Sequence, residues 1–202
     1  MIAARASVLV VVATLSTALF SATAHADRHV KTHISPAVRA ARDGQRDFDF
    51  EIGRWAIHMR RLAHPLSGDD TWVSPEGYSH LVRKVWDGRA SLAELENDRP
   101  VPHYDGLMLR LYDPQSREWN IYWASSKTGT LESPLVGHFT NGRGDFRKND
   151  VYDGKPIVVR VLYSDITPTS FRTEQDFSPD SGKTWQPNLV QTFTRTAKNG
   201  GS

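Results

Sequence analysis

Residues 144–165 read GDFRKNDVYDGKPIVVRVLYSD. Two runs rich in Val, Ile, Phe and Tyr flank Asp153-Gly154, a pair that takes left-handed turn conformations at little steric cost. The stretch reads as a β-hairpin, with strands over 144–151 and 156–165. The same grammar continues in both directions. Turn signals recur at Pro65–Asp70, Asp87-Gly88, Asn97–Pro102, Asp113-Pro114, Asn141-Gly142, Thr167-Pro168 and Ser178–Lys183. Between them, strands are expected over 54–62, 76–86, 89–95, 104–112, 118–125, 130–140, 169–177 and 187–195. About ten short strands at this spacing belong to a sandwich or barrel. Tight turns make neighbours in sequence antiparallel neighbours in space. A long meander hides its two edges by closing, so an all-β, closed, up-and-down barrel is expected over residues 48–196.

Composition agrees with a packed domain. The chain has 202 residues, 39% hydrophobic and 10% aromatic, with a formal net charge of +2. That balance lacks the basic excess of a nucleic-acid or membrane-surface protein. The absence of cysteine excludes a disulfide scaffold, a thiolate zinc site and a cysteine nucleophile.

Ahead of the barrel, Met1–Ala26 reads as a secretory signal peptide. Arg5 supplies the positive start, Val8–Phe20 the apolar run, and Ala24-His25-Ala26 the small-x-small cleavage site; a cut after Ala24 is the alternative. The run falls short of the ~20 residues that span a bilayer, and no other stretch reaches that length. A periplasmic or secreted protein is therefore expected. Residues 27–47 read as an arm carrying one short helix, capped by Ser35-Pro36 and stopped at Gly44. Residues 197–202 read as a flexible tail.

Side chains alternate faces along a strand, so parity sorts inside from outside. Trp55, Ile57 and Met59 share one face; so do Phe171, Thr173, Gln175 and Phe177, and so do Leu189, Gln191, Phe193 and Arg195. These sets are expected inside. In 107–112 the leucines Leu107, Leu109 and Leu111 are expected inside and Met108, Arg110 and Tyr112 outside. Residues 78–86 are ambiguous. Arg83 with Ser79, Leu81 and Val85 forms one face, and Tyr78, His80, Val82, Lys84 and Trp86 a comparably apolar one. An inward Arg83 would be a buried cation in need of an anion.

Several features, in this order, resemble a family of bacterial lipocalin-like, calycin-type barrels. They are the FDFxxGxW opening at Phe48–Trp55, the Tyr112-Asp113-Pro114 turn, Trp119 and Trp123 on one strand, Ser178–Trp185, and Thr194-Arg195. The resemblance spans residues 48–196. It implies a closed barrel with a central pocket and no particular chemistry. It also implies that the tryptophan of Gly53-x-Trp55 sits at the closed end with Arg195 across its indole, a cation–π contact.

Motifs for chemistry are sparse. Ser178-Pro-Asp180-Ser-Gly182-Lys-Thr184-Trp185 matches the SxDxGxTW Asp-box, whose carboxylate, hydroxyl, glycine and indole brace a turn, so a structural role is expected. No HxH, HExxH, GxSxG, Walker A or GxGxxG occurs. Of the histidines, His58 and His138 fall outward, and His80 and His103 are expected at the surface or rim. Arg172, Glu174 and Asp176 read as a solvated ion-pair face. No metal site and no cofactor is expected.

The lining so read is apolar with a few amides and hydroxyls. It fits a cavity for a small, mostly apolar or amphipathic molecule, bounded by Trp55, Arg83, Leu109, Trp123, Tyr163, Gln175 and Gln191. Two alternatives stay open. One is an enzyme of isomerase, cyclase or hydrolase type on the same pocket. The other is a protein-interaction module whose core is filled, Gln175 and Gln191 satisfying each other or the backbone.

Overall fold

A computed structural model describes residues 43–98 and 105–196. The signal segment, nearly all of the arm and its helix, His103 and the tail lie outside the described residues. The strands are β1 (Gly53–Leu62), β2 (Trp72–Val73), β3 (Tyr78–Val85), β4 (Ala90–Asn97), β5 (Gly106–Asp113) and β6 (Glu118–Ser125). They continue with β7 (Leu135–Thr140), β8 (Arg143–Tyr152), β9 (Lys155–Ser164), β10 (Ser170–Ser178) and β11 (Gln186–Arg195). From β3 to β11 each strand pairs antiparallel with the next; β3 also pairs with β1, and β1 pairs with β11. Ten strands thus close a barrel. The two-residue β2 is an addition, taking the β1 edge at Arg61 and Leu62 beyond the reach of β3.

The turns explain the topology. Asn141-Gly142 and Asp153-Gly154 both have positive φ at each residue (51°, 77° and 47°, 72°), the primed two-residue hairpin that matches strand twist. Closure is set by the register Trp55↔Arg195 through Arg61↔Leu189. Among the described residues no helix is long and apolar enough to cross a membrane.

One end of the barrel is plugged. Asp49–Glu51 forms a single 3-10 turn just before β1. It carries Phe48 into a ring of aromatics: Trp119, Phe139, Phe146 and Tyr163 stand 5.0–5.6 Å away, mostly edge to face. Beside them Phe171 stacks on Phe193 at 4.1 Å and meets Trp55 edge-on at 4.8 Å. Arg195 seals this end. Its guanidinium carbon lies 4.1 Å from the Trp55 ring centroid. Its three nitrogens donate to the carbonyls of Pro168, Ile52 and Phe50 at 2.7–2.8 Å. Trp55 in turn donates its indole N–H to the Glu51 carbonyl at 2.7 Å. Gly53, at φ 125°, leaves room for this arrangement; a Cβ there would sit 2.7 Å from Arg195 Nη1.

The Asp-box braces the β10–β11 turn. Asp180 Oδ1 accepts from the Ser178 hydroxyl and from the amides of Lys183 and Thr184, and Oδ2 accepts from the Thr184 hydroxyl at 2.6 Å. Those bonds, the Thr184 hydroxyl's first, hold the Asp180 carboxyl down to about 2. Trp185 is covered by Arg160, whose guanidinium carbon is 4.1 Å from the ring centroid. Arg160 also grips Asp176 through two donors at 2.7–2.9 Å. Asp176 is fully buried, so it is not part of a solvated charge row; a bulge between Gln175 and Asp176 accompanies this placement.

Candidate functional site

Above the plug the barrel holds a pocket of about 720 Å³. Its walls are mainly apolar, with Met59, Leu95, Met108, Ile121, Trp123 and Val161 among them. One wall, from β10 and β11, is different. There Thr173 donates to Gln191 Oε1 at 3.1 Å, and Gln175 donates to Asn188 Oδ1 at 2.8 Å. The two glutamines therefore pair with neighbours across the strand rather than with each other. Buried Asn188 keeps an amide nitrogen without a partner. Toward the open end, Lys148 reaches both Glu132 and Asp150 at 2.8 Å.

The floor is ionic. Glu51 (1% exposed), Arg110 (0%) and His80 (3%) meet where the plug joins β3 and β5. Glu51 Oε1 accepts from Arg110 Nη2 at 2.9 Å and lies 3.0 Å from His80 Nε2. Arg110 also points a nitrogen at the Ser91 hydroxyl, 3.4 Å away, and its guanidinium carbon lies 4.8 Å from the centroid of the Phe48 ring. The hydroxyl of Tyr163 completes the group beside Arg110. Burial alone would raise the Glu51 carboxyl, but Arg110 and then His80 hold it below the ordinary carboxylate value. Burial pushes the Tyr163 phenol up to about 12. At neutral pH the floor is therefore a carboxylate–guanidinium pair with an un-ionised phenol, and the His80 ring lies against the carboxylate. Glu51, His80 and Tyr163 all border the pocket.

The expected lining residues divide. Trp123, Tyr163, Gln175 and Gln191 border the pocket. Trp55 faces inward but is sealed in the plug beneath it, fully buried against Phe171 and Arg195. Leu109 and Arg83 need correction. On β5 the buried set is Gly106, Arg110 and Tyr112, and Leu107 is 47% exposed, so the leucine face, Leu109 included, points out. Leu109 pairs across the sheet with Leu92, another outward residue. On β3 the inward face is that of His80 and Val82. Arg83 stands outside, 55% exposed, and pairs with Glu94. The buried cation in need of an anion is Arg110, and its anion is Glu51. His80 is in the floor, not at the surface or rim. Among the described residues, no group of three or more His, Asp or Glu is arranged to hold a metal ion.

The chain matches no family model and no curated protein.

Proposed function

We propose that this protein binds a small amphipathic molecule inside its barrel. The observation that carries the reading is the pocket itself. At about 720 Å³ it falls within the roughly 300–1,000 Å³ of small-molecule sites. Apolar side chains line most of it, and polar groups gather on one wall, on the floor and at the open end, where Lys148 pairs with Glu132 and Asp150. A ligand lays its apolar body against Met59, Met108, Ile121 and Trp123 and turns its polar part toward Gln175, Asn188 and Gln191. The signal-like residues 1–26 support a periplasmic or secreted place of work. The FDFxxGxW opening and the Arg195–Trp55 contact support a calycin-type barrel.

The test is direct. An apolar fluorescent probe, N-phenyl-1-naphthylamine, is titrated into the protein while its emission and that of the tryptophans are followed. Saturable binding of one probe per barrel is expected. Val161→Trp, which fills the pocket from β9, is expected to remove it. No saturable binding by the wild type overturns the proposal.

A further inference from the structure

The floor carries an orientation that the pocket walls do not. His80 Nε2 lies 3.0 Å from Glu51 Oε1. An ionised carboxylate can only accept, so the proton in this contact belongs to Nε2. In the neutral imidazole that assignment leaves Nδ1 as a lone-pair acceptor. Nδ1 is buried and has no hydrogen-bond partner, although buried acceptors in folded proteins are as a rule satisfied. The ring borders the pocket, packed edge-on against Phe193 at 5.4 Å. The charge on Glu51 is already met by Arg110 through Oε1, so the floor has no free cation for a carboxylate. Glu51 Oε2, which also lacks a hydrogen-bond partner, is a second acceptor beside Nδ1.

We propose that His80 Nδ1 reads a hydroxyl group, so that the ligand is a neutral amphipathic alcohol or phenol entering hydroxyl first. Glu51 is the positioning residue: it fixes the imidazole tautomer, and Arg110 fixes Glu51. A ligand whose leading group only accepts would set a lone pair against the lone pair of Nδ1. A hydroxyl supplies the missing donor, and Tyr163, un-ionised at neutral pH, stands at the same end of the pocket. The inference rests on the pocket being a ligand site, as proposed above.

The test compares 1-naphthol with 1-methylnaphthalene, which has the same rings and a methyl in place of the hydroxyl. Binding is followed by tryptophan quenching in the full-length protein. An apolar pocket without a hydroxyl reader favours the methyl compound, because it is the more hydrophobic. The wild type is expected to prefer 1-naphthol by about tenfold or more. In His80→Leu both ring nitrogens are gone while Arg110 still pairs with Glu51, and the ratio of the two affinities is expected to fall to one or below. Imidazole ¹⁵N NMR of the wild type gives a reading independent of that variant's folding. The Nδ1 signal of His80 is expected in the unprotonated range and to move with 1-naphthol but not with 1-methylnaphthalene. Equal affinity for the two compounds, or a proton on Nδ1 in the free protein, overturns the assignment while leaving the pocket in place. If neither compound binds, the pocket reading falls and this one with it.

Discussion

Replacing Arg110 by Met tests the ionic floor most severely. The side chain is fully buried, and its guanidinium is the counter-charge of Glu51 at 2.9 Å. Met fills much of the volume but leaves a buried carboxylate with only His80 beside it. Removing one partner of such a pair costs about 3–5 kcal/mol. Unfolding in urea, followed by tryptophan fluorescence, has a slope of about 2 kcal/mol per M for a domain of this kind, so the midpoint should fall by about 1.5–2.5 M. Removing both charges should be gentler. Arg110→Met with Glu51→Gln is expected to recover at least about 1–2 kcal/mol of the loss, because no uncompensated charge remains. The acid limb gives a second readout. The Glu51 carboxyl is lower in the folded barrel than in the unfolded chain. Its stabilising contribution is therefore complete above the unfolded value of about 4.3 and lost as pH falls through the folded value. The stability difference between the wild type and the double variant should shift in the double variant's favour over that range. A loss below about 1 kcal/mol for Arg110→Met, or a double variant as unstable as the sum of its parts, would refute the coupled floor.

Other perturbations read the rest of the barrel. Arg195→Ala strips the indole face of Trp55 and leaves three carbonyls short of a donor; it should lower stability by about 2–4 kcal/mol in the same urea assay, and a loss under about 1 kcal/mol refutes the clamp. Gly53→Ala places a Cβ 2.7 Å from Arg195 Nη1 at a positive φ, so it should lower the melting temperature and add little when combined with Arg195→Ala. Gly106→Ala would bring a Cβ within 2.0 Å of the Trp123 ring; the displaced indole should weaken probe binding and shift its own emission, and unchanged binding counts against Trp123 as a wall. Asp180→Ala should lower the melting temperature at neutral pH without altering probe binding. The Asp180 carboxyl is depressed to about 2, so the deficit should shrink as pH falls from the ordinary carboxylate range toward that value, and a deficit constant down to pH ~2 contradicts the brace.

The legible parts of this fold are those where one strand face is charged. On β10, Arg172 and Glu174 mark the outside so plainly that the inward set could be read without a structure, and β1, with Arg54, His58 and Arg60 outward, behaves the same way. β11 has no charged outer face, and Asn188, of the parity opposite to the expected inward set, is buried and borders the pocket. β5 defeats the method because both its faces are apolar: three outward leucines outweigh an inward glycine, methionine and tyrosine, and a lone arginine looks like a surface residue until its partner is known. That partner, Glu51, hides inside the FDFxxGxW motif at a position the motif leaves free. His80 is hidden likewise, on a strand whose two faces are balanced. The three residues of the floor are 59 or fewer positions apart in pairs, on segments that the plug turn and the β1–β3–β4–β5 run of the sheet bring together. Short β2 escaped because two residues carry no period. The expected strand over 130–140 begins only at Leu135, although Leu131 still bridges to Ala124.

The clamp at the plugged end also dictates an order of events. Arg195 lies in the last strand and bonds to Phe50 and Ile52, 145 and 143 positions earlier, and the β1–β11 seam joins the same distant segments. None of these contacts can form until the chain is complete from Phe48 to Arg195. Loop-closure entropy must be met before they return any stabilisation, which places the molecule among slow, high-contact-order folders. While it waits, β1 and β10 each present an unpaired edge. A chain that stops short of β11 keeps both edges, so truncation should give an aggregating product rather than a smaller barrel.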